Sequence, residues 1–255
     1  MRKIALITGA TSGLGKAIAL RLAKEGYDVI IAGRRKDRLE ELEREIEIKY
    51  ESKVYSLCFD VRVYNEVEKA IASLPEEWKE IDILVNNAGL AVGLDPIQQG
   101  VIDDWERMID TNIKGLLYVT RVVSPGMVVR KSGHIVNLGS IAGKGVYPNG
   151  AVYCATKHAV DALSQGMRMD MLPYGIRVTQ VCPGAVNTEF SLVRFKGNQD
   201  RADLVYDGYD ALTAENIADA VFYAVSQPPH VNIQDMLVMP TAQANGSMFH
   251  KEEKK

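Results

Sequence analysis

The chain has 255 residues, 47% of them hydrophobic, with 30 Lys and Arg against 33 Asp and Glu and a formal net charge of -3. That is enough for one large domain with a sizeable core, or at most two small ones. The near balance of charge excludes a basic field for nucleic acid and a polybasic patch for a membrane surface.

Residues 3–7 are short and apolar and end at Thr8-Gly9, which predicts a buried strand. Residues 14–25 then show helical periodicity, with Leu14, Ile18 and Leu22 on one face and Gly26 as a stop. Residues 29–32 are the next strand. Residues 37–50 form a charge-rich helix, with Glu40–Arg44 and Glu45–Lys49 at i,i+4 on its solvated face. A strand over 54–59, a helix over 63–74 and a strand over 83–85 follow, the last running into Asn86-Asn87-Ala88-Gly89. The second half continues with a long helix over 102–123, a strand over 133–138, a second long helix over 151–172 and a strand over 176–181 closed by Cys182-Pro183-Gly184. Residues 197–210 read as a loop with short helices, 214–226 as a helix capped by Thr213, 236–239 as a last strand and 250–255 as a charged, frayed tail. Apolar strands alternating with amphipathic helices predict an α/β fold: a doubly wound parallel sheet of about seven strands with helices on both faces. No linker, repeat or composition shift divides the chain, so one domain over 1–255 is expected.

Three widely spaced cysteines, Cys58, Cys154 and Cys182, form no C-x-x-C pair, so a reducing compartment fits better than a disulfide framework. The four histidines show no metal-ligand spacing, and no metal is expected. The apolar run behind Arg2 and Lys3 is too short for a signal peptide, and no stretch approaches the ~18 apolar residues of a membrane span. The expectation is a cytoplasmic protein with neither a nucleic-acid nor a membrane partner.

The loop Thr8-Gly9-Ala10-Thr11-Ser12-Gly13-Leu14-Gly15 joins the first strand to the first helix. Its glycines allow a tight turn and a close ligand approach, and the helix N-terminus behind it favours phosphate. The spacing is G-x-x-x-G-x-G rather than G-x-G-x-x-G. At the end of the second strand stand Gly33, Arg34 and Arg35, where an NAD site would place an acid for the ribose hydroxyls. Guanidinium groups there can hold a 2′-phosphate in bidentate fashion, which points to NADP(H); the bland alternative is the start of an exposed charged helix. Asp60, at the end of strand three, could accept from the adenine amino group or cap a helix.

Ligands of a parallel sheet sit beyond the carboxyl ends of its strands. Asn87-Ala88-Gly89, Ser140 and Pro183-Gly184 all end strands on the edge that carries the glycine loop. Ser140 could donate to a substrate carbonyl oxygen. Tyr153 and Lys157 lie four residues apart, on one face of the long second-half helix. A free phenol titrates near pH ~10, and a nearby ammonium favours its ionised form, so the pair is a candidate acid/base device. Residues at this spacing also decorate solvated faces.

Taken together and in this order, Thr8-Gly9-x-x-x-Gly13-x-Gly15, Asn86-Asn87-Ala88-Gly89, Ser140 and Tyr153-x-x-x-Lys157 resemble the short-chain dehydrogenase/reductase family over essentially the whole chain. The resemblance implies a Rossmann sheet and a tetrad completed by Asn112, which holds a water in the proton relay. It makes Tyr153 the general acid/base, has Lys157 lower the tyrosine pKa and bind the nicotinamide ribose, and has Ser140 position the carbonyl. It carries Val61 over to the cofactor site, sets Pro183, Gly184 and Val186 against the nicotinamide, and gives Thr188 the carboxamide or the pyrophosphate. Relatives commonly pair their long helices into homotetramers.

Two longer strings, residues 137–143 and 188–197, are similar to the NADP-dependent 3-hydroxy acid dehydrogenases, including the serine dehydrogenase type. That implies oxidation of the 3-hydroxyl of serine, 3-hydroxyisobutyrate or 3-hydroxypropionate, or reduction of semialdehydes such as malonate semialdehyde. The second string falls in a substrate lid over about 187–212, where Arg194 or Lys196 could meet a substrate carboxylate or be exposed lid charges. A 3-oxoacyl-thioester or broad carbonyl reductase is the alternative enzyme. A non-catalytic dinucleotide sensor is a third reading, opposed by the presence of both Tyr153 and Lys157.

Overall fold

The computed structural model describes residues 2–252; Met1 and residues 253–255, with part of the tail expected to fray, lie outside the described residues. The first half runs β1 (Ile4–Thr8), α1 (Gly13–Lys24), β2 (Asp28–Gly33), α2 (Lys36–Lys49), β3 (Val54–Cys58), α3 (Tyr64–Ala72) and β4 (Ile81–Asn86). The second half runs α4 (Ile102–Ile109), α5 (Leu116–Arg130), β5 (His134–Leu138), α6 (Ala151–Met171), β6 (Arg177–Pro183), α7 (Glu189–Arg194), α8 (Gln199–Leu204), α9 (Ala214–Ser226) and β7 (Asp235–Val238).

The strands form one seven-stranded sheet in the order β3-β2-β1-β4-β5-β6-β7, and every pair in it is parallel. Successive side chains of a strand point to opposite faces. Ala5, Ile7, Val29 and Ile31 therefore join Ile18 and Leu22 of α1, Leu42 of α2 and Val221 of α9 in one core. Their neighbours Leu6, Ile30 and Ile135 join Val67 of α3, Val119 and Met127 of α5 and Val160 of α6 in a second core on the other face. Burial on both faces is why the strands read as near-continuous apolar runs. The sheet grows outward in opposite directions from β1 and β4, which opens a crevice at their carboxyl ends.

Two expectations need correction. The helix expected over 102–123 is broken by a π-helical turn, Asp110–Gly115, and its second part runs on to Arg130. Ser124-Pro125-Gly126 reads as a stop, yet Pro125 is exposed, so the donor it lacks leaves only a solvent-facing carbonyl. The tail is also tied down as far as it is described: His250 donates its N–H to Ala242, and Glu252 donates to Gly208.

Between β6 and α9 the chain leaves the sheet and returns. Val186 bridges Leu212, Asn187 donates to the Leu212 carbonyl, and Leu212 donates to Ala185, closing the base of an excursion that carries α7 and α8.

Candidate active site

The crevice is a cleft of about 360 Å³. Its floor is the loop after β1. Gly9 and Gly13 have φ of +67° and +51°, which L side chains rarely adopt. Gly15 has a different constraint: a Cβ there would lie 2.3 Å from the Gly9 carbonyl oxygen and 2.5 Å from Asn87 Nδ2. The start of α1 thus sits directly on the loop, and Asn87 locks it by donating Nδ2 to the carbonyls of Thr8 (2.8 Å) and Gly9 (3.2 Å). The Thr8 hydroxyl in turn accepts from the N–H groups of Asn87 and Ala88. Asn87, Ala88 and Gly89 therefore line the cleft, with the Asn87 amide spent on holding its floor.

The arginines after β2 reach the same cleft. Arg35 donates through Nε and Nη2 to Thr11 Oγ1 (3.1 and 2.8 Å) and through Nη2 to Ser12 Oγ (2.7 Å). Its Nη1 stands 3.4 Å from the carboxylate of Glu189. Arg34 is more exposed and lies 3.6 Å from Asp60. Burial opposes the charge on Asp60, but bonds from Arg62 and the field of Arg34 hold its carboxyl below the usual range. Asp60 does not cap α3, whose N-cap is Val63; its carboxylate accepts from the Arg62 N–H and guanidinium. Val61 packs where a Cβ on Gly115 would stand, 2.7 Å from its Cγ2.

On the opposite wall, α6 turns Tyr153 and Lys157 inward, and both are buried, as is Ser140. Helical spacing put the two residues on one face; packing of α6 against the core made it the inner face. The Ser140 hydroxyl accepts from the Ala142 N–H at 3.1 Å, which fixes its rotamer at the end of β5. Lys157 donates its ammonium to the Leu138 carbonyl at 2.8 Å and stands 5.9 Å from the centre of the Tyr153 ring. Burial pushes the Tyr153 phenol up, and the Tyr147 phenol adds to this; the Ser140 hydroxyl and the Arg194 guanidinium pull it down. Burial outweighs the pull of the serine and the lid-borne arginine, so the phenol stays above its ordinary value.

Burial also pushes the Lys157 ammonium down to about 8 from its ordinary 10.5. The folded chain thus binds that proton less well than the unfolded chain. The cost is present in full below about pH 8 and is relieved as pH rises from there to about 10.5, with a ceiling on the order of 3 kcal/mol. Lys157→Met keeps the volume of the stem. It is expected to raise Tm at pH 7 by about 2–6 °C, and the gain should shrink towards pH 10. Paired thermal melts at the two pH values check this; a gain independent of pH, or a loss, contradicts it.

Asn112 sits in the π turn and is buried. Its Oδ1 accepts from the Leu90 N–H, and its Nδ2 donates to the Leu90 carbonyl and to Thr156 Oγ1. Both amide hydrogens are spent on these ties, which fix the side chain against Leu90 and Thr156. The π turn, which commonly marks functional sites, presents the neighbouring Thr111 to the cleft. Thr111 Oγ1 is buried without a partner, a polar wall atom suited to a bound polar ligand.

The excursion closes the cleft from above. Thr188 caps α7 through the Phe190 N–H, and its Cβ is 3.5 Å from where a Cβ on Gly13 would stand. Val186, Pro183 and Gly184 line the same side. Phe190 packs on the Tyr153 ring at 5.8 Å. Arg194 lies 5.6 Å from the centre of that ring and 5.3 Å from the Tyr147 ring, donating Nη2 to the Tyr147 hydroxyl at 2.9 Å. Its Nε is buried without a partner. Lys196 does not join it: its ammonium is 2.7 Å from the buried carboxylate of Asp104 in α4.

Sequence reading missed several participants. Tyr147 comes from the loop after β5 and has no local signal. Glu189 and Arg38 meet at 2.8 Å across the cleft mouth but lie far apart in the chain. Gln243, from the segment after β7, is buried and accepts from the Ala185 N–H at 2.7 Å, beside the Pro183-Gly184 turn. A Cβ on Gly246 of the same segment would stand 2.9 Å from the Tyr147 ring. Among the described residues no group of three or more His, Cys, Asp or Glu could hold a metal ion, and no helix is long and apolar enough to cross a membrane.

Comparison with known proteins agrees with this arrangement. A family model described as short chain dehydrogenase matches residues 3–198. The chain is 48% identical over 242 residues to the NADP-dependent 3-hydroxy acid dehydrogenase YdfG of Salmonella typhi, covering 94% of this chain and 96% of that one. It is 45% identical over 239 residues to the serine 3-dehydrogenase of Agrobacterium fabrum, covering 94% of each. Among solved structures, the closed form of a serine dehydrogenase complexed with NADP+ superposes with a TM-score of 0.92 at 46% identity, covering 98% of this chain and 100% of that one. With the glycine loop, the serine and the Tyr-Lys pair all brought to one crevice, and the family model matched over residues 3–198, the chain belongs to the short-chain dehydrogenase/reductase family.

Proposed function

We propose that the protein is an NADP(H)-dependent dehydrogenase of small 3-hydroxy acids. The observation that carries the substrate class is Arg194: a guanidinium beside the Tyr153 ring, held by Tyr147, with a buried Nε that has no partner in the protein. A buried, unpaired donor on a cation is costly unless a ligand meets it, and a carboxylate does so with charge and geometry. A small acid bound there brings its 3-carbon towards Tyr153. The names of the relatives, 3-hydroxy acid and serine dehydrogenases, support the same class.

The residues of the cleft suit NADP(H). The glycine loop from Gly9 to Gly15 and the start of α1 offer N–H groups to a pyrophosphate. Arg34 and Arg35 take the 2′-phosphate, and Asp60, Val61 and Thr111 face the adenosine side. Lys157 meets the nicotinamide ribose, while Pro183, Gly184, Val186 and Thr188 flank the ring and its carboxamide. When bound, the cofactor supplies hydride exchange with carbon 3. The protein does the rest. Arg194 orients the acid, Ser140 and Tyr153 hold the 3-oxygen, and Tyr153 takes the hydroxyl proton in oxidation and returns it in reduction. Asn112 keeps the π turn, Leu90 and Thr156 in register beneath them.

The test is a kinetic screen of L-serine, 3-hydroxyisobutyrate, 3-hydroxypropionate and their carbonyl forms with both cofactors, alongside an acetoacetyl thioester. The expected result is turnover of the acids with NADP(H) at least about tenfold above NAD(H), equivalent to about 1.4 kcal/mol. Preference for the thioester would shift the assignment to a 3-oxoacyl reductase. We also propose a homotetramer in a cytoplasmic setting: α5 and α6 leave Leu117, Val129 and Met169 exposed, as helices that pair across two-fold axes do.

A further inference from the structure

Helix α7 carries Phe190 and Arg194 to Tyr153, and it is fastened at both ends. At its far end the Arg194 carbonyl accepts from the Gly93 N–H at 3.0 Å, and Lys196 reaches Asp104. At its first residue, Glu189 receives Arg38 Nη1 on both carboxylate oxygens, at 2.8 and 2.9 Å, and Arg35 Nη1 at 3.4 Å. Arg35 is also the residue that Thr11 and Ser12 aim along the cleft. A carboxylate of the protein's own therefore sits on the arginine pair next to the site given above to the 2′-phosphate.

We infer that Glu189 is a positioning residue that couples the arginine site for the 2′-phosphate to the placement of α7 over the substrate. The inference rests on the reading of Arg34 and Arg35 above. Two anions share a limited set of cations. A phosphate arriving at Arg35 meets the field of Glu189 and draws Arg35 from it, while Arg38 keeps the carboxylate and holds α7 in place. Glu189 thus lowers affinity for the phosphorylated cofactor and, through α7, raises affinity for the acid that Arg194 holds. Arg38 serves as the anchor that allows both.

The groups are partly exposed, so modest effects are expected. Glu189→Gln should tighten NADPH about two- to fivefold while leaving NADH unchanged, because only the former carries the 2′-phosphate. The same variant should raise KM for the 3-hydroxy acid by about two- to fivefold, with kcat within about twofold. Arg38→Gln should raise that KM as well but weaken NADPH, since Glu189 then bears on Arg35 alone. All four effects should fade in high salt. An unchanged ratio of NADPH to NADH affinity in Glu189→Gln, or an unchanged KM, overturns the coupling. Failure of the underlying reading is distinct: Arg35→Ala would then leave the cofactor ratio as it was. Thermal melts of both variants within a few degrees of the parent show that the shifts do not come from misfolding.

Discussion

Tyr153→Phe is expected to lower kcat for the 3-hydroxy acid by about a hundred- to ten-thousandfold, the range of a lost general acid/base. Only the hydroxyl is removed. The ring keeps its place against Phe190, and the cleft keeps its shape, so NADPH affinity by fluorescence titration should stay within a few-fold. The pH dependence carries a sign of its own. Oxidation needs the phenolate and reduction needs the phenol. Burial holds the Tyr153 phenol above its ordinary value in the free chain, with Ser140 and Arg194 opposing it. kcat/KM for reduction should therefore be flat from pH 7 to 9, while that for oxidation climbs across the same interval. Near-parental turnover in the variant, or an oxidation rate that falls as pH rises, removes Tyr153 from the proton transfer.

Arg194→Gln is expected to cost the second-largest loss, a fall in kcat/KM for 3-hydroxy acids of about 30- to 1000-fold. That corresponds to the 2–4 kcal/mol typical of removing one partner from a largely buried charge pair. Most of it should appear in KM, because the carboxylate is held alike in ground and transition states. Methyl esters of the same acids provide the control: lacking the anion, they should lose less than about tenfold. Arg194→Lys should recover only part of the activity, since an ammonium cannot both bond to Tyr147 and face a carboxylate in the plane of a fork. Equal losses for acid and ester would show that Arg194 supports the cleft rather than reading the acid. The loss of its contact with Tyr147 makes that outcome recognisable by a lowered Tm.

The order of elements was legible because each strand and helix carries its period within its own length. The strands are buried on both faces, so they read as apolar runs, and the glycine loop and the Tyr153–Lys157 pair are local patterns whose geometry a helix or a turn dictates. Element ends were less legible. Pro125 looks like a stop, but exposure on α5 removes its penalty. The π turn at Asn112 has no signature in the local period; it forms where the Asn112 amide closes on Leu90 and Thr156, residues from other parts of the chain.

By itself, then, the sequence determined the doubly wound sheet, the sheet edge that carries the glycine loop, and the shared helix face of Tyr153 and Lys157. Those features follow from short-range periodicity and from the rule that parallel strands present their carboxyl ends together. Only the tertiary structure decided which charges act on which groups. It set Arg194 rather than Lys196 beside Tyr153, engaged Lys196 with Asp104, and brought Glu189 to Arg35 across 154 positions. Periodicity specifies the face a residue turns inward, but the partner it meets there depends on how separate elements cross. Coulomb interactions fall with distance in space, which the sequence does not record.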